Sequence, residues 1–168
     1  MSTRAEDVTR VPERAASAVG RRIGWFAGGV VLCAWLYAAM VTSSVGFSTG
    51  GYSADGYVDA AGEPTDAAPL GIHVSTGPSA ALLFAVALTA VAAISIAVRR
   101  ARQARPEAAI AILDRAQMAL ALVTLLSAVT VTWWVGARAV DSWDGTQHYD
   151  AWSPTWLAAI TVDLSEQP

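Results

Sequence analysis

The sequence predicts an all-α integral membrane protein. It has three transmembrane helices, a cytoplasmic N-terminus, an extracytoplasmic C-terminus and a short interfacial C-terminal helix. Three observations predict this. The 168 residues are 54% hydrophobic and only 15% charged, with a mean hydropathy of +0.42, a composition unlike that of a soluble globule. Three runs, residues 23–45, 79–98 and 116–136, contain no Asp, Glu, Arg or His. Each is about 20 residues long and so about 30 Å as a helix, the thickness of a bilayer core. The third observation is that the arginines are unevenly spread between the segments joining these runs.

The tail of residues 1–22 carries Arg4, Arg10, Arg14, Arg21 and Arg22. It leads into the first span, residues 23–45. Arg21 and Arg22 ahead of an apolar run resemble the start of a signal peptide, and Thr42, Ser43 and Ser44 are small enough to flank a cleavage site. The apolar stretch exceeds a usual signal core, however, and no A-x-A site follows it. Leu32 before Cys33 is too large for a lipoprotein site. The first run is therefore expected to remain as a span.

Residues 46–78 contain Asp55, Asp59, Glu63 and Asp66, no basic residue, and many Gly, Ser and Pro. They have too few apolar side chains for a core and are expected to form a mobile extracytoplasmic loop. The second span, 79–98, ends abruptly at Arg99 and Arg100. The link 99–115 adds Arg102, Arg105 and Arg115. Three alternating spans put this link and the N-terminal tail on one side, and the bias of basic residues makes that side cytoplasmic. Arg21, Arg22, Arg99, Arg100, Arg102 and Arg105 are thus the residues that set topology, close to anionic lipid. Pro106 and Glu107 make a helix start, so the third helix is expected to begin below the span proper, 116–136.

The tail 137–168 holds Trp143, Tyr149, Trp152 and Trp156. Ser153 and Pro154 read as an N-cap and first helical residue. About a dozen residues to Leu164 cannot cross a bilayer, so a helix lying at the interface is expected, with its aromatics at headgroup level. These aromatics, together with Tyr52 and Tyr57 of the loop, also suit contact with a partner protein.

Small residues recur every fourth position: Gly20, Gly24 and Gly28 in the first helix, Ala81, Ala85, Thr89, Ala93 and Ala97 in the second, and Thr124, Ala128, Thr132 and Gly136 in the third. Such faces let helices approach closely in lipid, within one chain or between chains. His73 and His148 lie among carboxylates on the outer side and are weak candidates for a metal, in a spacing that matches no established site. Cys33 sits in an apolar setting that keeps a thiol inert, and as a single cysteine it excludes an intrachain disulfide. No G-x-S-x-G, H-E-x-x-H or phosphate loop is present, so no catalysis and no cofactor are expected.

A net charge of -3 speaks against a nucleic-acid partner. All eleven basic residues are arginine, and with the high alanine content this resembles usage in GC-rich bacteria such as actinobacteria. A bacterial plasma membrane is the expected location. The partners expected are the lipid bilayer and either another membrane protein or a second copy of this chain. The leading functional expectation is a non-catalytic accessory or assembly subunit of a membrane complex. The alternatives are a homo-oligomeric channel or transporter component lined by Thr124, Ala128 and Thr132, and an outward-facing metal or ligand binder built on the two histidines.

Overall fold

The computed structural model describes residues 3–59, 61–139 and 154–166. In chain order they form α1 (Thr3–Val41), β1 (Ser43–Ser48), β2 (Gly50–Ser53), β3 (Gly56–Asp59), β4 (Pro64–Thr65), β5 (Leu70–Pro78), α2 (Ala80–Arg102), α3 (Pro106–Ala137) and β6 (Ala158–Glu166). All three helices contain segments long and apolar enough to cross a membrane: Ser17–Val41, Ala80–Arg102 and Pro106–Ala137. The chain divides into two compact units, Met1–Tyr37 with Ala81–Leu126, and Ala38–Ala80 with Ser127–Pro168.

The first unit is a packed set of helices. In α1 the residues facing the core repeat at helical spacing: Val19 and Phe26 are buried, and Ile23 and Val30 are partly so. They meet Val86, Ala90, Ala93 and Ala97 of α2 and Ala109, Leu113 and Leu120 of α3. The alanine face of α2 lets the neighbouring backbones come close, so that van der Waals contact between helices is extensive. α3 starts at Pro106, as its helix-start signal predicts. The connection from α2 is a tight reverse turn. The Arg105 N–H donates to the Arg100 carbonyl and the Ala104 N–H to the Ala101 carbonyl. Ala104 is left-handed, with φ 58°, which completes a Schellman cap on α2.

The second unit corrects the all-α expectation: its described residues form six strands in two three-stranded sheets. The loop expected to be mobile, residues 46–78, holds four of them and the end of a fifth, and the first span expected to run to Val45 stops being helical at Val41, with β1 beginning at Ser43. The larger sheet is antiparallel in the order β1-β5-β6. Val45, Phe47, Ile72, Val74, Ile160 and Val162 cluster on one face. Alternation of period two exposes the intervening polar residues. Buried Thr76 joins the sheet to α1: its hydroxyl donates to the Val41 carbonyl at 2.7 Å, satisfying an acceptor that the end of a helix leaves free.

The interfacial helix expected from Pro154 to Leu164 is also corrected. The N–H groups of Leu157 and Ala158 donate to the Pro154 carbonyl, so the start signal yields one turn. Ile160, Thr161 and Val162 then continue as β6, β-branched residues that fit a pleated surface opposite β5.

The smaller sheet runs β2-β3-β4. β2 and β3 form a hairpin in which Tyr52 stands directly opposite Tyr57, their rings edge to face with centroids 5.5 Å apart. Asp59 closes the next turn, its Oδ1 accepting from the N–H groups of Ala61 and Glu63 at 2.9 Å each.

Candidate functional site

Two surfaces gather the residues that the sequence marks for function. The first is the outer face of α1. Gly20, Gly24 and Gly28 are exposed, and a β-carbon built on any of them would meet nothing within 4 Å. Since Phe26 is fully buried and lies two residues, about 200°, from both Gly24 and Gly28, the glycine stripe points away from the α1 residues packed in the core. Large apolar side chains flank it. Trp25 is 71% exposed and Trp35 63%, and Val31 and Leu32 are exposed too. Gly29 is the exception, because a β-carbon there would sit 2.6 Å from Gln117 Nε2. Gly29 is therefore the glycine used for packing within the chain, although it lies outside the four-residue stripe.

The other two small-residue stripes divide between inside and outside. On α2, Ala93 and Ala97 are buried while Ala81, Ala85 and Thr89 are exposed. The core face of that helix is instead Val86, Ala90, Ala93 and Ala97. On α3, Thr124 and Ala128 are buried and Thr132 is exposed. The hydroxyls of Thr89, Thr124 and Thr132 donate to the carbonyls of Ala85, Leu120 and Ala128 respectively. Back-bonding of this kind satisfies a hydroxyl without any partner from outside the helix.

The second surface is the polar face of the β1-β5-β6 sheet. Register places Gly46, His73 and Asp163 in one row across the three strands, with Ser44, Ser75 and Thr161 in the next row on that face. Ser75 and Thr161 share a hydrogen bond of 2.7 Å. The His73 imidazole lies beside Gly46, its Nδ1 at 3.6 Å from where a β-carbon would stand, an ordinary contact distance. An open, shallow groove runs beside it, lined among others by Ser48, Gly71, His73 and Ser165. His148, the second weak metal candidate, lies outside the described residues, as do Trp143, Tyr149 and Trp152. Trp156 is described and is 71% exposed.

One cluster escapes a reading of the sequence. Arg22 forms an ion pair with Asp114, its Nε donating to Oδ1 at 2.6 Å, and its Nη2 donates to Gln117 Oε1 at 3.4 Å. In the sequence Arg22 belongs to the N-terminal charge cluster and Asp114 to the arginine-rich link, and nothing local joins them. Arg21, Arg99, Arg100, Arg102 and Arg105 are exposed. Cys33 is half-buried. No protein-family model, no curated protein and no solved structure matches this chain.

Proposed function

We propose that this chain is a non-catalytic accessory or assembly subunit of a larger complex in a bacterial plasma membrane, with its N-terminus in the cytoplasm and its two sheets outside. The observation that carries the proposal is the open glycine face of α1. A Gly-xxx-Gly-xxx-Gly stripe costs helix stability, and its return is close approach by another helix. Here α2 and α3 supply the core face of α1, and the stripe is left for a helix from another chain. Exposed Trp25, Val31, Leu32 and Trp35 add apolar surface beside the stripe. The orientation follows from the arginines at the turn between α2 and α3 and from the absence of Arg and Lys in residues 46–78.

The channel reading is less favoured by the same geometry. Thr124 and Ala128 are buried within the chain, so they are not available to line a pore between copies. The metal reading retains His73 opposite Asp163, which gives two donors where a structural site takes four.

The test is purification of a tagged chain from its native membrane in mild detergent, followed by mass spectrometry, with wild type beside Gly24→Leu and Gly28→Leu. A β-carbon at either position meets nothing within 4 Å in the chain itself. A stoichiometric partner that is lost in the variants supports the proposal. Recovery of this chain alone, as an oligomer that the variants disrupt, moves the weight to self-association. A C-terminal reporter active only in the cytoplasm would refute the orientation.

A further inference from the structure

The turn between α2 and α3 concentrates positive charge on a fixed backbone. Arg99, Arg100 and Arg102 fill the last turn of α2, and Arg105 follows in the reverse turn, where its N–H bonds back to the Arg100 carbonyl. All four are exposed. Two carboxylates lie near them in the sequence, Glu107 in the first turn of α3 and Asp114, which is occupied by Arg22. The tip is therefore strongly cationic. The Schellman cap holds it in one conformation, so the guanidinium groups project from a frame and not from a loose loop.

The charge also continues directly into apolar surface. Ile96 lies three residues before Arg99, which lies three before Arg102, so these side chains share one face of α2. Farther along that face come Ala92 and Leu88, and all of these residues are exposed. A ligand matching this strip is an anion joined to a hydrocarbon chain.

We infer that the α2 strip from Leu88 to Arg102 is a binding site for an anionic phospholipid. Arg99 and Arg102 hold the phosphate, and Ile96 and Leu88 lie along an acyl chain. Guanidinium groups suit phosphate because their planar fork makes two parallel N–H···O bonds. The inference rests on the three-span reading, which puts Arg99 at headgroup level immediately after the uncharged run ends at Val98.

The experiment uses the full chain in a non-ionic detergent, titrated with phosphatidylglycerol or phosphatidylcholine of identical acyl chains and read by native mass spectrometry. Wild type should retain phosphatidylglycerol at least about fivefold more tightly, the ratio expected from one arginine at an anionic surface. R99Q/R102Q should bring the ratio close to one, and R21Q should leave it unchanged. R99K/R102K keeps the charge and should fall between wild type and R99Q/R102Q.

Equal retention of the two lipids by wild type would overturn the inference, as would a preference that survives in R99Q/R102Q. Displacement of bound phosphatidylglycerol by millimolar inorganic phosphate would show a plain phosphate site and overturn the lipid assignment. The underlying topology is read separately, from a Q103C chain with Cys33→Ala treated with a membrane-impermeant maleimide. Labelling in intact cells would refute the orientation whatever the lipid result.

Discussion

Arg22 and Asp114, separated by 92 positions in the chain, are joined by a hydrogen bond from Nε to Oδ1 of 2.6 Å. The contact ties α1 to α3, and Gln117 extends it by accepting from the same guanidinium. The side chains are 34% and 46% exposed, so solvent screens the pair and its contribution is modest. A double-mutant cycle of R22Q and D114N, followed by thermal unfolding in detergent, is expected to give a coupling of about 0.5–1 kcal/mol. A coupling indistinguishable from zero would mean that the pair orients the helices without holding them.

The glycines of α1 separate by what surrounds them. Gly24→Ala and Gly28→Ala add a methyl group to open space and remove backbone freedom from the unfolded chain, so each should raise the stability of the isolated protein by up to about 1 kcal/mol. Gly29→Ala meets the Gln117 amide and should gain less, because Gln117 must turn away from Arg22. Unfolding midpoints of the three variants in one detergent give the ranking. Equal gains at all three positions would contradict the described packing of Gly29.

Ala104 occupies a conformation that glycine adopts more easily. Its left-handed φ of 58° costs an L-residue about 1–2 kcal/mol, against the roughly 0.5–1 kcal/mol that glycine loses through its freer unfolded state. Ala104→Gly should therefore stabilise the α2–α3 turn by about 0.5–1 kcal/mol, seen as a higher unfolding midpoint. A lower midpoint would argue against the Schellman geometry.

Thr76 is buried, and its hydroxyl donates to the Val41 carbonyl and, at 3.3 Å, to that of Ser43. Thr76→Val keeps the shape and removes the donor, leaving the helix-end carbonyl of Val41 without this hydrogen bond, with an expected loss of about 1–2 kcal/mol. Thr76→Ser retains the donor and should recover most of it. If Thr76→Ser is destabilised and Thr76→Val is not, the methyl group and not the hydroxyl is what matters at this position.

Gly50 has no room for a side chain, because a β-carbon there would overlap the carbonyl oxygen of Val58 on the neighbouring strand. Gly50→Ala should break the β2–β3 pairing, whereas Gly51→Ala should be tolerated. Proteolytic nicking between residues 50 and 59 is the measurement, and equal resistance in both variants would refute the hairpin register.

The helices are legible in the sequence because the signal is local. Each apolar run is long enough by itself to demand internal satisfaction of its backbone groups in lipid, and Pro106 marks its own helix start. The sheets depend on pairings that no short window contains. Alternation is present in Ile72, His73, Val74 and Ser75 and again in Ile160, Thr161, Val162 and Asp163. In the loop it is diluted by Gly, Ser and Pro, and in the tail it is masked by the Ser153-Pro154 helix signal. Each half gains its meaning only when β5 meets β6. The glycine stripe is legible in the sequence as a run of small residues on one helix face, but which of the neighbouring glycines faces inward is not. That depends on whether Phe26 or Gly28 meets the core, and both follow the same helical period.

The β5–β6 pairing has a consequence for how the protein is made. Ser75 and Thr161, partners across that ladder, lie 86 residues apart, with α2 and α3 between them. During synthesis β1 and β5 are available together, but the other edge of β5 has no partner until all of α3 has emerged. The larger sheet therefore cannot close until α3 and the segment after it have been made. Until then β5 presents a nine-residue strand edge without its second partner, the kind of surface that invites pairing with another chain.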